Sequence, residues 1–257
     1  MKRNTLTVWG VVTGFVLGLP LAGIAEEKPA MKVLPTAEAQ KPQVQVGKAP
    51  VYKPPQRGAP APGSRRGGGT RGTNKSVPVI SLLAPDHVGF TLQEQPVLYW
   101  FTPTKLDQPL EFTMIGENAV APAVETKLPP PAQPGLQRIS LSDFKVNLAP
   151  GERYQWSVAL ILDADERSAD IVAMGAIERA QRDRLEPPLA ANFSKAEAPG
   201  RYAEAGIWYD AVMAISDLIQ ANPTDTGLRQ QRAALLEQVG LPEVGMYDVR
   251  LRTSRAQ

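Results

Sequence analysis

The alternation of apolar and polar residues between positions 77 and 180 constrains the fold more than any other feature. It is clearest in "YQWSVALIL", where an extended chain places five apolar side chains on one face: Tyr154, Trp156, Val158, Leu160 and Leu162. Turns rich in proline, glycine and aspartate separate seven such segments, at residues 79–83, 97–102, 110–115, 120–126, 136–141, 154–162 and 171–177. Seven short strands joined by turns predict an antiparallel β-sandwich over residues 77–186.

The stretch "LAPGERYQW" narrows this prediction. Pro150 and Gly151 form a turn signal just before Tyr154, as in a tyrosine corner. In that motif, a tyrosine hydroxyl forms a hydrogen bond with the backbone a few residues upstream. The sequence therefore predicts an immunoglobulin- or fibronectin-like sandwich, a scaffold that hosts many functions.

After residue 186, the spacing of apolar residues changes from the alternation of strands to the spacing of helices. Trp208, Val212, Ile215 and Ile219 follow helical spacing up to Asn222-Pro223, and a second helix is expected over 226–239, before Gly240. The positions of the small, aromatic and proline residues are typical of a tetratricopeptide (TPR) second helix. We predict a mainly β chain with a C-terminal α part: a TPR-like helical hairpin over 187–242, then a polar tail over 243–257.

Residues 1–25 have the layout of a secretory signal peptide, with a basic start, an apolar stretch and small residues before a cleavage position after Ala25. The expected location is the periplasm or the medium. The alternative is a retained anchor, since about 20 apolar residues span a bilayer; membrane attachment is expected only in that case.

Residues 26–76 hold 8 of the 25 prolines and ten Lys/Arg against three Asp/Glu, although the whole chain has a net charge of only +2. This composition predicts a disordered basic linker. Its Arg65, Arg66 and Arg71 are candidates for binding an anionic envelope polymer, with a plain soluble tether as the alternative. Nucleic acid is not an expected partner.

Several chemistries are excluded or weakly supported. The chain has no cysteine and one histidine, His87, so it has no thiolate nucleophile and no site with two histidine ligands. Asp163, Asp165 and Asp170 are a weak calcium candidate, because the EF-hand pattern is not met and Arg167 would repel a cation; a solvated hairpin tip is favoured. No cofactor and no catalytic residue are expected.

Trp208, Tyr209 and Asp210 follow one another in the first predicted helix. Consecutive helical residues point about 100° apart, so the three side chains cannot converge on one ligand from a single face. The pattern favours a packing seam in which Asp210 faces water. The alternative is a partner-binding surface that includes Trp208 and Tyr209.

The chain also resembles a known family. The stretches "QPVLYWF", "PGERYQWSVALILDADERSADIVAMGAIER", "AEAGIWYDAV" and "LLEQVGL" occur in the order found in the largely cyanobacterial family catalogued as domain of unknown function 928. The resemblance covers roughly residues 78–242. It implies one exported module and carries no activity.

These observations predict an exported, non-enzymatic interaction or scaffold module whose partner is another exported or envelope protein. The first alternative is a module that binds carbohydrate or an anionic envelope polymer through exposed aromatic faces and the basic linker. A hydrolase that uses Asp and Glu ranks last, because no spacing singles out a pair of carboxylates.

Overall fold

Two β-sheets and four helices form the part of the chain that the structure, a computed structural model, describes: residues 49–55, 60–61, 63–68, 78–185, 189 and 192–253. These residues all belong to the unit Val44–Gln257. The prediction of a mainly β chain with a C-terminal α part is confirmed. The predicted signal peptide lies outside the described residues.

The strands follow one another in short segments. In chain order they are β1 (Arg66–Gly67), β2 (Ile80–Leu82), β3 (Gly89–Thr91), β4 (Val97–Thr102), β5 (Leu110–Gly116), β6 (Val124–Leu128), β7 (Gly135–Ser140), β8 (Arg153–Leu160) and β9 (Ile171–Arg179). One sheet has the order β1-β2-β4-β7 and the other β3-β9-β8-β5-β6. All pairs are antiparallel except β3 with β9.

The predicted strands match the observed ones with local differences. β6 begins at Val124 rather than at residue 120, because residues 117–123 form the loop from β5. β8 ends at Leu160, which leaves Leu162 41% exposed instead of on the buried face. The short strands β1 and β3 were not predicted.

One contiguous cluster of buried apolar side chains joins both sheets to the helices. It contains a tryptophan from each part: Trp100 on β4, Trp156 on β8 and Trp208 at the start of the helical part. A smaller second cluster consists of Leu185, Ala205 and Ile207. A main core with a small satellite cluster is the arrangement expected of one domain. The β-rich and helical parts therefore form one folding unit.

The helices are α1 (Ala198–Glu204), α2 (Trp208–Ala221), α3 (Thr226–Gln238) and α4 (Pro242–Thr253). The Asp225 carboxylate caps α3 by accepting from the backbone N–H groups of Gly227 and Leu228. Gly240 has φ +73°, the left-handed conformation expected after this helix. In the described ranges, we find no helix with the length and apolar character needed to cross a bilayer.

The prediction of a polar tail from residue 243 is wrong, because α4 continues to Thr253. Asp248 on α4 is 3% exposed and accepts from Arg232 Nε at 2.9 Å and Nη2 at 2.7 Å. Arg229 Nη1 donates to the other carboxylate oxygen at 3.0 Å. The charges that suggested a solvated tail are thus paired with α3, which allows their burial.

The prediction of a disordered linker up to residue 76 is wrong for residues 49–55, 60–61 and 63–68. Tyr52 is only 6% exposed, and its ring packs edge-on against Trp208 at a centroid distance of 5.0 Å. The N–H of Lys53 donates to the carbonyl of Ala203, and β1 pairs with β2. We call these described residues the arm; its aromatic ring and backbone pairing supply the burial that its composition alone does not indicate.

The buried Asp248 pair gives a test of this packing. Replacing Asp248 by Ala leaves the Arg232 guanidinium, 5% exposed, without its counter-charge, and such a loss costs about 3–5 kcal/mol. Urea unfolding should show this decrease in the free energy of unfolding. The matched control is Glu243→Gln on the same helix, whose half-exposed pair with Arg66 should contribute at most about 1 kcal/mol. Equal small losses in both variants would contradict the assignment.

Candidate interaction surface

The first turn of α2 packs against both sheets. The buried Trp208 indole Nε1 donates to the Leu83 carbonyl at 2.8 Å. The Tyr209 hydroxyl accepts from Trp156 Nε1 at 2.9 Å and donates to the Ala176 carbonyl at 3.0 Å. Burial raises the pKa of the Tyr209 phenol far above its usual range. Two aromatic rings of one helical turn thus satisfy buried polar groups on separate parts of the β-rich region.

The Asp210 side chain points toward the end of β3 rather than toward the partners of Trp208 and Tyr209. Its carboxylate is 1% exposed and accepts from Thr91 Oγ1 at 2.6 Å, the Leu92 N–H at 3.1 Å and Gln93 Nε2 at 3.2 Å. Burial raises the pKa of this carboxyl above its usual value, and the hydrogen bonds oppose the rise. The prediction that Asp210 faces water is wrong, because the unpredicted strand β3 ends directly beside it.

The triplet is therefore a packing seam. A Cβ atom at Gly89 on β3 would lie 2.7 Å from Tyr209 Cε2, so the close approach of α2 to β3 requires glycine. Trp208 and Tyr209 are 0% and 3% exposed and present no surface to a partner. Their alternative interpretation as partner-binding residues is wrong in this structure.

The arm arginines bind the protein's own body. Arg66 Nη2 donates to the Gly240 carbonyl and to Glu243 Oε1, each at 2.7 Å. Arg65 Nη1 donates to the Ala84 carbonyl at 3.3 Å, and burial lowers the pKa of the Arg65 guanidinium. Arg71 lies outside the described residues. Arg66 is thus already engaged by a carboxylate and by the carbonyl that follows α3.

The acidic side chains of the hairpin between β8 and β9 are engaged by neighbouring groups of the protein. Asp170 Oδ2 accepts from Arg167 Nε at 2.6 Å, and Arg167 Nη2 also donates to Glu111 at 2.7 Å. Asp163 instead accepts the backbone N–H of Asp165. Over the described ranges, no three His, Asp or Glu side chains are grouped to hold a metal ion.

The single histidine holds the arm in place. His87 Nε2 lies 2.8 Å from the Tyr52 hydroxyl, and its Nδ1 lies 3.2 Å from Asp86 Oδ1. The imidazole also stacks on the Tyr52 ring, with centroids 5.9 Å apart. Both ring nitrogens are engaged, which indicates that His87 fastens residues 49–55 to the β-rich region.

The described tryptophans give no platform for a carbohydrate. Trp100 and Trp156 are 4% and 0% exposed, and Trp208 is fully buried. Stacking of a sugar ring needs an accessible aromatic face, which these three side chains do not offer. The structure therefore lends no support to the aromatic part of the carbohydrate-binding alternative.

An exposed apolar segment forms the loop between β5 and β6. Residues 119–123, "AVAPA", are all exposed, and Val120 is completely so. Hydrogen bonds hold the loop at both ends: the N–H of Ala119 donates to the Gly116 carbonyl at 3.0 Å, and that of Ala123 to the Met114 carbonyl at 2.8 Å. We call residues 119–123 the apolar loop.

Acidic side chains surround the apolar loop. Glu117 precedes it, Glu125 follows it on β6, and Glu152 Oε1 lies 3.2 Å from the Cβ position of Gly116. Sequence reasoning missed the loop because the valine and alanines from residue 120 onward are typical of the start of a strand. The signals that could have found it are the turn-forming Asn118 and Pro122, whose ring cannot donate to a ladder.

Fold and site together define a class: a β-rich protein with a docked helical part and exposed apolar surface segments. The chain belongs to the family described as Domain of Unknown Function (DUF928), whose model matches residues 66–247. The family predicted from the quoted stretches is thus confirmed. No curated protein matches the chain.

The buried carboxylate of Asp210 predicts a pH dependence of stability. An unfolded Asp titrates near pH 3.9, and the folded protein holds this proton to higher pH because the pKa of Asp210 is raised. The contribution of Asp210 to stability is therefore greatest below about pH 4 and decreases as pH rises through the folded pKa.

Asp210→Asn keeps the size of the side chain and removes this titration. We expect the unfolding free energy of the wild type minus that of the variant to fall as pH rises from about 4 to 7. Urea titrations at half-unit steps of pH measure it. A difference that is constant or increases with pH would show that Asp210 is not destabilised by burial.

Proposed function

We propose that this protein is an exported, non-enzymatic protein-interaction module that binds another exported or envelope protein through the apolar loop. One observation carries the proposal: five consecutive apolar residues at 119–123 are all exposed in a loop that backbone hydrogen bonds hold at both ends. Exposed apolar segments with charged surroundings are typical of protein-binding sites.

The anchoring of the loop favours binding. The N–H of Glu117 donates to the Arg153 carbonyl at 2.8 Å, and the bonds of Ala119 and Ala123 complete the attachment to β5 and β8. Because the backbone is already ordered, little conformational entropy is lost when a partner covers it. The loop acts as a rigid apolar wedge.

The charges around the loop favour a partner of particular chemistry. Glu117, Glu125 and Glu152 form an acidic rim, in which Glu117 pairs with Arg153 at 3.9 Å. A complementary partner presents an apolar cleft with a basic rim. The same rim disfavours an anionic lipid surface, so a protein partner is the better match.

The proposal includes an immunoglobulin- or fibronectin-like topology. In such a topology, β2, β4 and β7 would be strands A, B and E of one sheet. The other sheet would contain β9, β8, β5 and β6 as strands G, F, C and C′, in that spatial order. The strand orders of both sheets agree with this scheme. The Tyr154 hydroxyl, which accepts the N–H of Ala149 at 3.1 Å, supports it as a tyrosine corner. An experimental structure with another strand order would contradict it.

We also propose that the α2–α3 hairpin is TPR-like. Trp208, Ala211 and Ile215 occupy buried positions at the spacing of a TPR second helix, and α3 follows after four residues. The hairpin packs against the sandwich rather than against further repeats. An experimental structure in which α2 and α3 are not adjacent would contradict it.

Export through cleavage after Ala25 is part of the same proposal and rests on the sequence of residues 1–25. Terminal sequencing of the protein recovered from the periplasm or medium tests it. A terminus near Glu26 is expected, and an intact protein in the cytoplasmic fraction would contradict export.

The apolar loop is tested by a pull-down from envelope extracts with the purified protein. Val120→Asp places a charge at the centre of the proposed contact, whereas a fully exposed position tolerates the change within about 0.5 kcal/mol. We expect the wild type to recover a specific protein, and Val120→Asp to recover it about tenfold less.

The matched control is Leu162→Asp, the same kind of change at another exposed loop residue, which is 41% exposed. It should recover the partner as the wild type does. Equal recovery with Val120→Asp, or no specific protein with the wild type, would contradict the proposal.

A further inference from the structure

The arm bridges the two sheets at one edge. The Ser64 carbonyl accepts the N–H of Met174 on β9 at 2.8 Å. The carbonyl of the next residue, Arg65, accepts the N–H of Leu82 on β2 at 2.9 Å. Neighbouring carbonyls of an extended chain point in opposite directions, so one short segment reaches a strand of each sheet. At Gly67 an added Cβ atom would lie 2.8 Å from a backbone carbonyl of β9, so the arm passes very close to this strand.

The other end of the arm attaches to the helices. The N–H of Tyr52 donates to Gln238 Oε1 on α3 at 2.8 Å, and Gln238 Nε2 donates to the Pro50 carbonyl at 2.9 Å. The Tyr52 ring contacts the Trp208 indole of α2 edge-on. The arm therefore lies along a surface that runs from α3 past α2 to the edges of β9 and β2. We call this surface the arm cleft; it includes Gln238, Trp208, Met174 and Leu82.

Little of the arm is buried. Of its described residues, Pro50, Tyr52 and Gly67 are buried, and the others are exposed or half-buried. The same residues include four prolines, whose nitrogen cannot donate a hydrogen bond. A segment with few buried side chains and few backbone hydrogen bonds opens at a lower free energy than the whole domain.

The groups under the arm are held by other partners. β2 pairs with β4 through Ser81 and Leu82, and β9 pairs with β8 from Ile171 to Glu178. These ladders do not include the arm, and each strand therefore remains in its sheet when the arm is absent. The Trp208 indole also keeps its place, because its Nε1 donates to a backbone carbonyl of the β-rich region.

We infer that the arm is a releasable strap, an intramolecular ligand that detaches from the arm cleft while the sheets and helices stay folded. Release exposes the Trp208 indole and the N–H groups of Leu82 and Met174, which an extended segment with an aromatic side chain satisfies. The occupant of the cleft is the arm itself. The arm is thus an autoinhibitory contact, because it covers an open strand edge and an aromatic surface. The inference does not depend on the apolar loop.

Amide hydrogen exchange of the unmodified chain tests whether the arm opens separately. The amides of Leu82 and Met174 belong to the sheets but donate to the arm, and the Lys53 amide of the arm donates to α1. We expect these three amides to exchange about tenfold or more faster than those of β8, which pairs with both β5 and β9. Exchange of the three amides at the rate of β8 would overturn the inference.

Tyr52→Ala in the full chain tests whether the arm opens as one unit. Loss of the buried ring weakens one end of the strap. Exchange of the Leu82 and Met174 amides at the other end should therefore increase about tenfold, while that of β8 stays unchanged. Val51→Ala, at a neighbour that is 46% exposed, is the matched control and should change neither. An increase confined to residues 49–55 would show that the two ends open independently, contrary to the inference.

Gly67→Ala tests the same coupling from the other end. Its new methyl group meets the backbone of β9, so the exchange of the Lys53 amide should increase although Lys53 lies at the far end of the arm. The matched control is Gly200→Ala, because an added Cβ there has no neighbour within 4 Å. Unchanged exchange of Lys53 in Gly67→Ala would contradict a strap that opens as a unit.

A labelled peptide of residues 49–68, "APVYKPPQRGAPAPGSRRGG", tests the arm cleft. Fluorescence anisotropy should show that it binds the Tyr52→Ala chain, and that the same peptide with Tyr52→Ala binds about tenfold less tightly. The wild-type chain should bind the peptide more weakly than the variant does, because its own arm competes at a high effective concentration. Equal binding of the two peptides, or no binding to the variant, would refute the cleft. Neither result bears on the apolar loop, which the Val120→Asp pull-down tests separately.

Discussion

The helical part keeps its position because the Tyr209 hydroxyl lies between Trp156 Nε1 and the Ala176 carbonyl, inside the core. An indole N–H and a carbonyl buried without partners would each be costly, and one phenol satisfies both. Trp208 and Asp210 bond to Leu83 and to the end of β3 on either side. These three directions of contact define where α2 starts, and the helices that follow depend on that start.

Buried and half-buried charges then attach the remaining segments. Arg232 and Asp248 join α3 to α4, and Arg66 of the arm reaches Glu243 on α4. The arm is further held by Tyr52, which contacts both Trp208 and His87.

The surface proposed for interaction lies on the connection between β5 and β6. Hydrogen bonds to neighbouring backbone order this loop. Rigid strands that present ordered loops suit recognition, because the sheets supply the positions and the loops supply the chemistry.

The sequence alone determined the elements whose signal is local. β4, β8, α2 and α3 were predictable because alternation, helical spacing, Pro223 and Gly240 all act within a few residues. Only the tertiary structure decided the elements that depend on distant partners. β1 and β3 are two and three residues long and are stabilised by pairing with β2 and β9. α4 packs on α3, where the buried Asp248 accepts a hydrogen bond from Arg232. The burial of Asp210 also depends on distant partners. Its three hydrogen-bond donors lie more than a hundred residues away along the chain, so no local sequence pattern predicts them.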